Sequence, residues 1–176
     1  VLFQTRIRGT VVYPSDYEPW DGCLSGVPNK SPGYDALEFA IEECHKRGME
    51  IQAWIVTIPI GKWNQAGCKN LRNRYPALVK KIGEEGFMDM ENPQTAQYLA
   101  DICGEITNKY DIDGIHLDYI RYPETWNIKV SRETGRNHIT NIAKAISSKV
   151  YSLKPWVKMS CSPIGKINDL SRYWSH

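Results

Sequence analysis

Four strand-like runs alternate along this chain with amphipathic helical ones, and that order restricts the fold more than any other feature. Strand, helix, strand repeated in sequence builds a parallel sheet through right-handed crossovers. The first strand reads from about Val1 to Ile7, with an extension to Tyr13, and opens into the turn-rich loop "PSDYEPWDGCLSGVPNKSPG". A helix follows from about Tyr34, with Leu37, Ala40, Ile41 and Cys44 at helical spacing and Gly48 as its stop. The second strand is "MEIQAWIVT", Met49 to Thr57, and its long connection holds Trp63 and a predicted short helix over Pro76 to Ile82. Asn92 as N-cap and Pro93 in the first turn then start a helix whose stripe is Leu99, Ile102, Cys103 and Ile106. The third strand is "DIDGIHLDYIRYP", Asp111 to Pro123. A helix with Ile139, Ile142, Ala143, Ile146, Val150 and Leu153 on one face leads to the fourth strand, "VKMSCSP".

This order reads as one α/β domain over residues 1–176, either half of an eight-stranded barrel or most of an open doubly wound sheet. A complete barrel needs about 250 residues. Neither GxGxxG nor GxxxxGK[ST] follows a strand, which weakens a nucleotide-binding reading.

The strands carry a second pattern. Side chains alternate across a strand, so Phe3, Thr5 and Ile7 are expected on one face and Gln4, Arg6 and Arg8 on the other. Likewise Ala53 and Ile55 oppose Gln52, Trp54 and Val56; Ile115 and Leu117 oppose His116 and Asp118; Met159 and Cys161 oppose Ser160 and Ser162. An antiparallel sheet with one wet side would give the same alternation, but the intervening helices fit it poorly. In a parallel sheet the polar face looks into a barrel interior or crevice, where unpaired charges cost several kcal/mol. Carrying such residues on four consecutive strands points to a site. In barrels it lies at the strands' carboxyl ends, here Arg8, Val56, Asp118 and Ser162.

Charge and cysteine content narrow the partners. Lys and Arg number 22 against 20 acidic residues, a net +2, too balanced for a nucleic-acid footprint. No run of about 18 apolar residues suggests a membrane span, and no signal segment is visible. The five cysteines form no CxxC or Cys/His ligand spacing, and Cys44 and Cys103 read as core thiols. His116 has no companion ligands, so it reads as a hydrogen-bonded histidine rather than a metal ligand, and no cofactor is implied.

The runs "YDALEFAIEECHKRGMEIQAWI" and "ENPQTAQYLADICGEITNKYDIDGIHLDYIRYP" together resemble glycosyl-hydrolase-like family ten. "FQTRIRGTVVYPSDYEPW" is similar to that family's second barrel strand and "CSPIG" to its fifth. The resemblance covers nearly the whole chain. It implies a (β/α)8, TIM-barrel type fold, of which about four βα units are expected here, the chain being a piece of a longer protein. It also implies a glycoside hydrolase of a complex glycan, possible substrates including peptidoglycan, in an exported, periplasmic or cell-surface lipoprotein. Where the family usually has His, Asn-Pro and a second Asp, this chain has Gln52, Val56 with Thr57, and Tyr119.

Glycoside hydrolysis takes two carboxyl groups, about 5 Å apart for retention and about 6.5 to 9.5 Å for inversion. Asp118 is best placed by its strand position to be one of them. Arg121, Arg6 and Arg8 are expected to hold it ionised, unless a salt bridge to Arg6 or Arg8 makes it purely structural. Substrate contacts are expected from Arg6, Arg8, Tyr13, Trp54, His116, Tyr119, Arg121, Tyr122 and Ser162. Trp20, Trp63 and Trp126 serve equally well as sugar platforms or as loop packing. The loop acids Asp16, Glu18, Asp21, Asp89, Glu91 and Glu124 do not single out a partner. A non-catalytic glycan-binding barrel is the alternative. Half a barrel also exposes strand edges, so an inactive piece that self-associates or is covered by the missing half is expected.

Overall fold

The computed structural model describes residues 1–164. In chain order its elements are β1 (Leu2–Ile7), β2 (Thr10–Val11), α1 (Ala36–His45), β3 (Gln52–Val56), β4 (Pro59–Lys62), α2 (Ala66–Arg74), β5 (Val79–Ile82), β6 (Glu85–Met88), α3 (Pro93–Lys109), β7 (Gly114–Asp118), α4 (Arg132–Leu153) and β8 (Lys158–Ser162). The main sheet runs β2-β1-β3-β7-β8, and β1, β3, β7 and β8 are parallel neighbours. The antiparallel alternative is thereby set aside. Within this sheet β2, among the described residues, is the one strand that runs antiparallel, because Arg8 and Gly9 both take positive φ (57° and 67°) and turn the strand's extension back on itself.

Each crossover helix starts where its cap dictates. Asp35 accepts from the amides of Leu37 and Glu38, Asn92 from Gln94, and Ser131 from Thr134. The stripes then bury Leu37 and Ile41 on α1, Leu99, Ile102 and Ile106 on α3, and Ile142, Ile146 and Val150 on α4. Each such side chain contributes about 1.5 to 3 kcal/mol relative to exposure. They cover the sheet face of Ala53, Ile55 and Ile115, all fully buried.

Register fixes what lies on the opposite face. Gln4 is level with Trp54, Trp54 with His116, His116 with Ser160, and Asp118 with both Val56 and Ser162. The expected polar face therefore exists in β3, β7 and β8. In β1 it breaks. A bulge lies between Gln4 and Arg6, so that Arg6, not Thr5, is level with Ile55. The extra residue rotates Arg6 to the helix-facing side and corrects the expectation that Gln4, Arg6 and Arg8 share one face.

The connection after β3 holds more structure than the sequence suggested. A second sheet, ordered β4-β6-β5, occupies it together with α2. The short helix expected over Pro76 to Ile82 is only a 3-10 turn at Pro76–Leu78, and Val79–Ile82 is β5 of a hairpin. Gly83, with φ 58°, makes that hairpin turn. This excursion is clamped onto the Arg8–Gly9 turn by Gly67 in the first turn of α2. A Cβ at Gly67 would lie 2.1 Å from the Arg8 carbonyl oxygen and 2.6 Å from that of Gly9, both backbone atoms. Gly67→Ala is expected to cost about 1 to 3 kcal/mol or more by overpacking, read as a lower urea midpoint. An unchanged midpoint would show that α2 shifts freely.

Candidate functional site

Asp118 ends β7 on the polar face, half-buried, and its carboxylate is held on both sides. The Trp54 indole Nε1 donates to Oδ2 at 3.0 Å, and the Tyr119 amide donates to Oδ1 at 2.8 Å. Two N–H donors suit an acceptor-only carboxylate and leave lone pairs on each oxygen for a substrate. The Asp118 backbone is also fixed, since the Thr57 amide and Oγ1 both donate to its carbonyl oxygen at 2.9 Å.

One step down β7, His116 is buried in a polar chain. Ser160 donates to Gln52 Oε1 at 2.8 Å, so its one proton is spent, and the contact between His116 Nδ1 and Ser160 Oγ at 2.8 Å must be donated by the ring. In the neutral ring Nε2 then accepts from Ser162 Oγ at 2.9 Å. The His116 ring stands edge-on to Trp54, with centroids 6.4 Å apart. His116 and Ser162 thus lie where expected, as neighbours of the carboxylate; among the described residues no His, Cys, Asp and Glu cluster is placed to hold a metal.

The rim above Asp118 is made by the turn after β7. Tyr119 takes φ 52° and its hydroxyl donates to Glu124 at 2.6 Å, while Arg121 pairs with Glu124 at 2.7 Å and stacks 4.0 Å over the Tyr119 ring. Partial burial and then the Glu124 hydrogen bond push the Tyr119 hydroxyl up to about 12. At Glu124 partial burial works upward, but hydrogen bonds from Arg121 and Tyr119 prevail and hold its carboxyl down at about 2. Because this folded value lies below the ordinary 4.5, the stabilisation Glu124 gives the turn is complete above about 4.5 and is lost as pH falls through about 2. A carbon-13 NMR titration of the Glu124 carboxyl is expected to give a midpoint near 2, moving toward 4.5 in Arg121→Met. A midpoint near 4.5 in the unaltered chain would contradict the pairing.

Beside this rim opens a cavity of about 370 Å³, lined by Arg8, Val56, Lys62, Gln65, Glu85 and Tyr119. Arg8, at the end of β1, is half-exposed and lies 3.9 Å from Asp21. Arg8 and Tyr119 line this cavity, and Trp54 stands next to it, level with His116 on the polar face.

Three expected contacts are misplaced. Arg6 is fully buried on the helix side, forked onto Glu18 at 2.8 and 2.6 Å. Tyr13 is fully buried with its hydroxyl donating to Glu105 on α3 at 2.8 Å. Tyr122 is fully buried against Trp126, its hydroxyl 2.9 Å from His138 Nδ1. Arg121 is buried too and meets the rim through Tyr119 and Glu124. The cations expected to surround Asp118 are directed elsewhere: Arg6 to Glu18, Arg8 to Asp21, Arg121 to Glu124. The loop acids are likewise engaged, Asp16 with Lys109, and Asp89 and Glu91 with Lys80. Trp63 lies under Arg72 and Lys81, and Trp126 under Lys80, which makes both loop packing. Thr57 was missed, although it continues the strand that carries Trp54.

A family model described as glycosyl hydrolase-like 10 matches residues 1–134. The chain is 30% identical over 186 residues to glycosyl hydrolase YngK of Bacillus subtilis (strain 168), an alignment covering 94% of this chain and 36% of that protein. It is 27% identical over 192 residues to glycosyl hydrolase DigH of Escherichia coli (strain K12), covering 94% of this chain and 44% of that one. The chain thus spans about two fifths of the length of these curated relatives. Among solved structures, alpha-L-fucosidase isoenzyme 2 from Paenibacillus thiaminolyticus superposes with a TM-score of 0.65 at 16% identity, over 92% of this chain and 27% of that one. The alpha-galactosidase from Lactobacillus brevis gives 0.53 at 18% identity, over 80% and 20%. These likenesses show the fold, part of a (β/α)8 barrel of the glycosidase type. Gly165, the last residue of "CSPIG", lies outside the described residues.

Proposed function

The chain belongs to the glycosyl hydrolase-like 10 family, and from that membership we propose that the protein is a glycoside hydrolase in which Asp118 is one of the two catalytic carboxyl groups. The observation that carries this is the carboxylate itself: at the carboxyl end of a central parallel strand, half-buried, fixed by two N–H donors and beside a cavity. Such a group acts as nucleophile, as base toward water, or against the positive charge that develops on the sugar ring. Trp54, and the face of Tyr119 opposite Arg121, are offered to the apolar side of a sugar.

The proton donor is a different group. Glu124, held at about 2, is charged at neutral pH and gives no proton to a leaving oxygen. We assign the acid to a part of the barrel outside residues 1–164. Its substrate is a complex glycan, with peptidoglycan of the cell wall as the first to test, and the protein is an exported one acting at the cell envelope. The engagement of the loop acids favours a second reading, a barrel that binds glycans without cleaving them.

Incubating the full-length protein with neutral and cell-wall glycans, beside a binding assay, separates the two. Reducing-end release is expected; tight binding with no release would favour the second reading.

A further inference from the structure

The buried pair Arg6–Glu18 has no obvious reason to be ionic. Both side chains are fully inaccessible, and taking two charges out of water costs more than burying apolar groups of the same volume, so such pairs are often replaceable with no loss of stability. What the guanidinium does beyond pairing is more specific. Its Nη1 donates to the carbonyl oxygen of Val56 at 2.5 Å and to that of Thr57 at 3.0 Å. These carbonyls mark the point where β3 leaves the sheet. Glu18, from the loop after β2, holds the other edge of the fork and is itself fixed by the Tyr98 hydroxyl of α3 at 3.2 Å.

The peptide that Arg6 grips is the one that grips Asp118. Val56 is level with Asp118, and Thr57 bonds the Asp118 carbonyl oxygen through its amide and its hydroxyl. Trp54, on the same strand, holds the carboxylate. A continuous series of short contacts therefore runs from Glu18 through Arg6 and the end of β3 to both the backbone and the side chain of Asp118. The bulge in β1 is what makes the series possible, because it places Arg6 level with Ile55 on the helix side, beneath the departing strand. Bulges beside sites commonly re-aim a side chain in this way.

We propose that Arg6 and Glu18 form a positioning pair that sets the orientation of Asp118 through Val56 and Thr57; this rests on reading Asp118 as the catalytic carboxylate. Only a planar fork with several donors serves both ends, two oxygens of Glu18 and two backbone carbonyls. Lysine, a point charge on a flexible stem, does not. A misplacement of about 1 Å is enough to cost about a hundredfold in rate.

The test compares the full-length protein with the double variant Arg6→Met/Glu18→Met, which removes both charges and keeps bulk, and with Arg6→Lys. Three readouts are taken: thermal midpoint, kcat and KM on the cleaved glycan, and the ¹H–¹⁵N indole resonance of Trp54, assigned through Trp54→Phe. Expected for the double variant are a midpoint within about 4 °C, kcat lower by at least about tenfold, KM within about twofold, and a shifted or broadened Trp54 resonance. Unaltered kcat and an unmoved resonance, whatever the midpoint, would overturn the proposal. If the double variant does not fold, Arg6→Lys decides on the same readouts. The indole resonance needs no substrate, so it tests positioning even if no glycan is cleaved. Asp118→Asn separately tests the reading beneath it: full activity there removes the catalytic assignment, while the resonance still judges the Arg6–Glu18 pair.

Discussion

Asp118→Asn in the full-length protein is expected to lower glycan turnover by at least about a thousandfold, equivalent to about 4 kcal/mol of transition-state stabilisation. Asparagine keeps the shape of the side chain but has one acceptor oxygen and an NH2 group. Two donors converge here, the Trp54 indole and the Tyr119 amide, so one of them must face the new NH2. The fold is expected to tolerate this at about 1 to 3 kcal/mol, since the site is half-buried and open to water. Chemistry is not, because an amide neither attacks an anomeric carbon nor takes a proton from water. The measurement is kcat at saturating glycan, with circular dichroism to verify the fold. Turnover within about threefold of the unaltered protein would remove Asp118 from the reaction.

The largest loss of stability is expected one strand away. Arg6→Ala should destabilise the chain by about 3 to 5 kcal/mol, the cost of leaving one member of a buried pair without its partner. Glu18 would stay as a fully enclosed carboxylate whose remaining hydrogen-bond partner among the described residues is the Tyr98 hydroxyl, and the carbonyls of Val56 and Thr57 would lose their shared donor. Equilibrium urea unfolding reads this directly. A loss under about 1 kcal/mol would mean that water enters beneath β3 and solvates Glu18. The contrast with Arg6→Met/Glu18→Met is informative, because removing both charges leaves no stranded ion.

Much of this architecture is written in local pattern. The caps Asp35, Asn92 and Ser131 and the stripes behind them fix the crossover helices by interactions within a turn or two. The period of two in "DIDGIHLDYIRYP" places Ile115 under the helices and His116 and Asp118 on the other face, and the register agrees. What was not legible depends on contacts distant in sequence. The bulge in β1 lacks a glycine to mark it, so strict alternation put Arg6 beside Arg8 and missed Glu18 as its partner. Tyr13 reads as a substrate contact at the end of a strand extension, yet its hydroxyl finds Glu105, 92 residues away. The hairpin of β5 and β6 did carry a local signal, Gly83 followed by Glu84 between strand-like runs, that the apparent helix over Pro76 to Ile82 obscured. The charge environment of Asp118 was the least readable feature, because each of the three arginines pairs with an acid supplied by a loop.

The most direct test of Asp118 as a catalytic carboxyl is a crystal structure of full-length Asp118→Asn bound to an uncleaved oligosaccharide. Expected is a sugar ring seated against Trp54 or Tyr119 with its anomeric carbon about 3 to 3.5 Å from the residue-118 side chain, or one water further away if that group activates water. A saccharide bound on another face of the barrel, with residue 118 out of reach of any glycosidic bond, would contradict it.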